Sequence, residues 1–314
     1  MQMRIVSCYM DGREIEPLVK AGADELYTSV PGLPSFDETY LRGITVAGAI
    51  RRIHALGKKA LIAVNSQQVA RDPRGLRALQ RRFYELDDAG ADAFIVASPS
   101  ILSLLRSGSR KLRADLHLSS VQPCFNTAAL RFFLRLGVKR LILPTQLAPL
   151  EARELLALCR REGVETEIFD YRFFGCVYVN GRCNLHQPRF HTFRNTSEGG
   201  ALCRCGSGSP LRVRPLDAAA GRGKETAAIA GRLALRMGRG GAPRLYNAAA
   251  FYDFFRLGVG WLKYGVRKDS PEVKALRVRQ LREMADLAED LRAKYGHARA
   301  RRLFIDHMTG WNKP

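Results

Sequence analysis

The chain has 314 residues, 46% of them hydrophobic and 9% aromatic, which is enough to bury a large core and excludes global disorder. Lysine and arginine outnumber aspartate and glutamate by 51 to 30, a formal net charge of +21; a field of that sign attracts RNA, anionic lipid headgroups or a small acidic substrate. No run approaches the ~18 uninterrupted apolar residues of a membrane span. The first residues, MQMRIVSCYMDGREIEPL, lack the apolar segment of an export signal, so a soluble, cytoplasmic protein is expected. The seven cysteines are an odd number, and in that compartment they point to metal binding, catalysis or burial rather than to a disulfide framework.

Short β-rich runs alternate with amphipathic helical segments from the start. Arg4–Cys8 reads as a strand, Glu14–Ala21 as a helix stopped by Gly22, and Asp24–Ser29 as the second strand. After the loop PGLPS come a helix over Val46–Leu56 and a strand over Lys59–Asn65. A helix over Leu76–Ala89 then leads to the strand Ala93–Ala97. Leu116–Ser120, Arg140–Pro144 and Glu165–Tyr171 are three more strands, with helices over Ala128–Leu136 and Pro149–Arg161 between them. Trp261–Val266 is the last strand, and Val273–Tyr295 a long charged outer helix.

A helix that stops on glycine just before a strand recurs through the chain: AGADELY, LGKKALI, AGADAFI, LGVKRLIL, EGVETEI, LGVGWLKY. That unit is the signature of parallel βαβ connections. Eight such strands predict an α/β fold, a TIM-like (β/α)8 barrel; an open doubly wound sheet is the alternative. The barrel is expected to occupy residues 1–296 as one domain, with a long Cys/Gly-rich insertion at 173–243 before the last strand and a basic C-terminal tail at 297–314.

The insertion carries Cys176, Cys183, Cys203 and Cys205, in FFGCVYVNGRCNLH and GGALCRCGSG. Thiolates that share one ion or cluster need pliable backbone between them, and the glycines around these positions supply it. A site just after a barrel strand lies at the C-terminal face, where barrel enzymes keep their chemistry. Iron–sulfur and zinc are both open on this evidence, with His186 and His191 as possible nitrogen ligands for zinc, although C-x6-C with C-x-C is no standard zinc spacing. Cys8, Cys124 and Cys159 sit in or beside apolar segments and read as core residues.

Several segments together resemble one family. AGADELYTSV, LHLSSVQPCFNTAALRFFLRLGVKRLILPTQL, FGCVYVNGRCNL and FYDFFRLGVGWLKYGVR are similar, in register from about residue 4 to 290, to elements of the collagenase-like peptidase family of unassigned mechanism (family U-thirty-two). The resemblance implies a TIM-like barrel holding a [4Fe–4S] cluster on four cysteines, and oxygen-independent hydroxylation with prephenate as oxygen donor. Relatives of this kind act on isoprenoid quinone precursors, as a heterodimer of homologous chains, or on RNA bases; collagenase-type members carry the peptidase label.

Residue by residue, Cys176, Cys183 and Cys203 match the first three cluster ligands. The family's fourth lies before the helix preceding the last strand, where this chain has APRLYNAAAF, so Cys205 is the substitute. Thr145 stands where many relatives have Arg. Lys263 and Arg267 match the family's late Lys and Arg and are expected to hold a small dicarboxylate co-substrate; Asn126 is expected to orient the substrate. Two other classes compete with hydroxylation. One is a peptidase using a Cys/His dyad with His186 or His191; no H-E-x-x-H or G-x-S-x-G element is present. The other is a non-catalytic iron–sulfur partner subunit.

Overall fold

The computed structural model describes residues 2–35, 39–66, 72–145, 147–170 and 247–311. Eight parallel strands close a barrel in sequence order: β1 (Arg4–Cys8), β2 (Glu25–Thr28), β3 (Lys59–Val64), β4 (Ala93–Val96), β5 (Asp115–Leu118), β6 (Val138–Ile142), β7 (Glu165–Phe169) and β8 (Trp261–Tyr264). Closure is made by β8 on β1, where Val6 lies in register with Lys263. The (β/α)8 barrel expected from the sequence is therefore the fold, and the open sheet is excluded.

Around the barrel lie α1 (Ile15–Lys20), α2 (Val46–Ala55), α3 (Pro73–Asp88), α4 (Pro99–Arg106), α5 (Thr127–Arg135), α6 (Arg153–Arg161), α7 (Ala248–Arg256), α8 (Pro271–Lys294) and α9 (His297–Trp311). Their boundaries follow local chemistry. Asp72, Ser98 and Ser270 each accept a hydrogen bond from a first-turn N–H, and each is followed by proline at the first helical position. At the C-termini the glycine signature has a geometric cause. Gly90 takes φ 96°, which lets its N–H reach Asp87 O and the next N–H reach Leu86 O before the chain enters β4.

The strands bury both faces. Leu26, Ile62, Phe94, Leu141, Ile168 and Leu262 belong to the continuous core between barrel and helices. The opposite parity faces the lumen, and it is charged: Glu25, Arg140, Glu165, Glu167 and Lys263 bond to one another there. Barrel interiors are more often filled by branched apolar side chains.

Two outer elements differ from the sequence reading. No helix was expected between the fourth and fifth strands, yet Ser98–Pro99 starts α4, whose Ile101, Leu102 and Leu105 are buried. Of the segment 297–314, read as a basic tail, the described residues 297–311 form α9. Ala300, Phe304 and Met308 recur at helical spacing and are buried. The Phe304 ring stacks on Phe251 of α7 at 5.5 Å, while the arginines take other faces of the helix. The insertion at 173–243 lies outside the described residues.

Candidate active site at the barrel mouth

Inside the barrel, three cationic side chains meet three carboxylates. Arg140 spans them: it grips Glu25 with two nitrogens, at 2.5 and 2.9 Å, and also reaches Glu165 at 2.7 Å and Glu167 at 3.2 Å. Arg4 takes the other oxygen of Glu165 at 2.6 Å, and Lys263 Nζ donates to Glu167 Oε1 at 2.7 Å. The guanidinium carbons of Arg4 and Arg140 both lie 3.8 Å from the centre of the Trp261 ring. Two such groups on one face would nearly coincide, so the indole is held between them. Formal charges in this layer balance, which is what makes burying them tolerable.

Burial still acts on the individual groups. It raises the Glu25 carboxyl against the pull of Arg140, and it lowers the Lys263 ammonium against that of Glu167. His117, on β5, is driven well below the ordinary histidine value by burial, with Arg140, Lys263 and Lys59 adding repulsion. That shift favours the neutral imidazole, and among the described residues its Nδ1 has no hydrogen-bond partner.

Toward the strands' C-terminal ends, the Tyr27 ring has Lys263 Nζ 4.1 Å and the Arg267 guanidinium carbon 5.7 Å from its centre. Arg267, just past β8, is buried; it donates to Ser35 Oγ at 2.7 Å and to Asn65 Oδ1 at 3.4 Å. Ser35 and Ser29 share a hydrogen bond of 2.9 Å, so loops after β2, β3 and β8 meet at one guanidinium. Thr145, beyond the end of β6, is buried, and among the described residues its hydroxyl has no hydrogen-bond partner.

The structure brings Lys263 and Arg267 together, both against Tyr27, but gives them different surroundings. Lys263 lies within the barrel, paired with Glu167, whereas Arg267 donates to the Ser35 hydroxyl and the Asn65 amide oxygen. Asn126 stands apart from both. It is exposed and caps α5, its Oδ1 accepting from Ala129 N at 2.9 Å. Cys176, Cys183, Cys203 and Cys205, like His186 and His191, lie outside the described residues. Cys8, Cys124 and Cys159 are buried, and burial raises their thiols to about 11, 12 and 12. They are poor thiolates at neutral pH. Among the described residues no three His, Cys, Asp or Glu side chains gather as a metal site.

The sequence reading passed over Glu25, Arg140, Glu167 and His117. A signal was there: Glu165 and Glu167 are two apart in one strand, and Lys263 sits two from Trp261 in the next, so each pair shares one side of its strand.

Comparison with known proteins fits this architecture. The family model described as Peptidase family U32 matches residues 11–301, nearly the whole chain. The chain belongs to peptidase family U32. It aligns with tRNA hydroxylation protein P of Helicobacter pylori (strain J99), 27% identical over 58% of this chain and 42% of that protein. The Escherichia coli K12 protein of the same name is 30% identical over 43% of this chain and 28% of its own length. Bacillus subtilis 168 tRNA hydroxylation protein P1 is 31% identical over 38% of this chain and 26% of that protein. The U32 chain therefore spans less than half of each of these relatives. A solved U32 peptidase superposes with a TM-score of 0.43 at 16% identity, over 58% of this chain and 76% of that one. Among the described residues, no helix is long and apolar enough to cross a membrane.

Proposed function

We propose that this U32 protein is a tRNA-modifying hydroxylase that works without molecular oxygen and takes a prephenate-like dicarboxylate as oxygen donor. The observation that carries the reading is the alignment with three bacterial proteins named for tRNA hydroxylation. The +21 charge of the chain supports it, because phosphate contacts dominate RNA affinity. Against the quinone-precursor alternative, a small neutral ring gives no use for such a field.

Arg267 is the residue for the co-substrate. Its hydrogen bonds to Ser35 and Asn65 hold the planar fork in place, and a fork of this kind matches a carboxylate through two parallel bonds. Lys263 acts differently. Neutralised by Glu167, it sets the position of the Tyr27 ring beneath the co-substrate more than it binds charge itself. Thr145 offers the hydroxyl, otherwise without a partner, to an oxygen of the bound acid. Asn126 keeps its amide N–H2 for the RNA while its carbonyl caps the helix.

The donor set of Cys176, Cys183, Cys203 and Cys205 suits a [4Fe–4S] cluster, since the remaining three cysteines are locked away as buried thiols. When bound, such a cluster supplies electron transfer or Lewis acidity next to the substrate. The test is direct. Protein purified anaerobically is assayed for iron and sulfide, then incubated with unmodified tRNA and prephenate, and the nucleosides are weighed by mass spectrometry. A nucleoside heavier by one oxygen atom is expected. Oxygen transfer to a quinone precursor alone, or cleavage of a peptide by iron-free protein, overturns the assignment.

A further inference from the structure

On the outer wall of the barrel, α6, α7 and α9 enclose a groove of about 310 Å³, at the lower end of the ~300–1,000 Å³ typical of ligand sites. Its lining is Pro149, Leu150, Arg153, Asp253, Arg256, Leu257, His297 and Arg301. The side chains fall into two sets. Asp253 has both oxygens occupied by Arg301, at 2.9 Å each, so the carboxylate is consumed within the groove. Arg153 and Arg256 are exposed, and among the described residues neither has a carboxylate partner. His297 is fixed by stacking on Tyr252, at 6.0 Å and 16° between rings. Beside these cations Leu150 is 69% exposed, the most exposed large apolar side chain of the described residues.

We infer that this groove is a second RNA-binding site, in which Arg153 and Arg256 take phosphodiester oxygens and Pro149 and Leu150 pack against a ribose or base. The inference rests on the tRNA reading above and names a surface for it. Two guanidinium forks without carboxylates, next to an exposed apolar patch, are what a phosphate–sugar backbone pairs with. Location adds to the argument. Arg153 opens α6 just after the loop from β6, on the mouth side, while Arg256 ends α7 toward the opposite face. The groove therefore leads from the rim of the barrel down its wall, so an RNA with one nucleotide at the mouth has a path for its flanking backbone.

The test uses the full chain and an unmodified tRNA transcript, with binding followed by fluorescence anisotropy from low to moderate salt. The variant is R153Q/R256Q; the control, R51Q/R81Q, removes the same charge from exposed positions of α2 and α3 across the barrel. The groove variant should bind more weakly, and its log affinity should fall less steeply with log salt, by about 1.4 to 1.8 for two lost phosphate contacts. The control should keep the wild-type slope. R153K/R256K, which keeps charge but not the fork, should fall between. Equal behaviour of the two glutamine variants overturns the groove while leaving tRNA as substrate. A wild-type chain that tRNA does not bind at low salt overturns both. Matching thermal unfolding of all variants shows that the fold is intact.

Discussion

Lys263 Nζ and Glu167 Oε1 meet at 2.7 Å inside the barrel, on neighbouring strands and out of contact with water. Glu167 also accepts from Arg140, so its one charge is shared between two cations. Removing one member of a buried pair leaves an unpaired charge, which costs about 3–5 kcal/mol, whereas removing both is far milder. Glu167→Gln is therefore expected to lower the urea unfolding free energy by about that amount. The double variant Glu167→Gln, Lys263→Met should recover most of the loss. Additive losses in the cycle would show that the pair is not coupled.

His117 gives the barrel a pH dependence whose sign follows from its burial. Its folded pKa lies well below 6.5, so below that value the unfolded chain takes up a proton that the folded one does not. Its contribution is complete above about pH 6.5 and is lost as pH falls, at up to about 1.4 kcal/mol per pH unit. His117→Gln, which cannot titrate, should flatten this part of the curve of unfolding free energy against pH between 4.5 and 7. A curve as steep as the wild type's would assign the acid sensitivity to other groups.

The two classes of cysteine should separate by metal content. Changing any one of Cys176, Cys183, Cys203 or Cys205 to serine is expected to reduce bound iron and visible absorption in anaerobic preparations. Cys159→Ala or Cys8→Ala should leave iron unchanged and cost only stability, because those thiols are buried and protonated. Iron retained in all four serine variants would remove the cluster from the insertion.

Arg267→Lys keeps a cation but loses the fork that Ser35 and Asn65 hold in place. The expected result is a KM for the dicarboxylate raised about tenfold, the equivalent of about 1.4 kcal/mol for one charge-assisted hydrogen bond, with a smaller change in kcat. An unchanged KM would free Arg267 from the co-substrate role.

The sequence by itself determined the barrel. Six of the seven connections between successive strands end on a glycine at positive φ just before the next strand, and parallel units of one handedness leave few ways to close. It also marked Cys8, Cys124 and Cys159 as core residues, because apolar neighbours in a strand or helix stay neighbours in the fold. Only the tertiary structure decided what Lys263 does. Its partner Glu167 is 96 positions away, and the Glu25 that Arg140 grips is 115 away. The pairing exists because ring closure turns one parity of separate strands into a shared lumen, and local sequence carries no record of which charges will meet there. The same holds for Asn126, whose place after β5 suggested substrate but whose oxygen is held by the first turn of α5, and for the wall groove, assembled from α6, α7 and a C-terminal helix that charge alone made look like a tail.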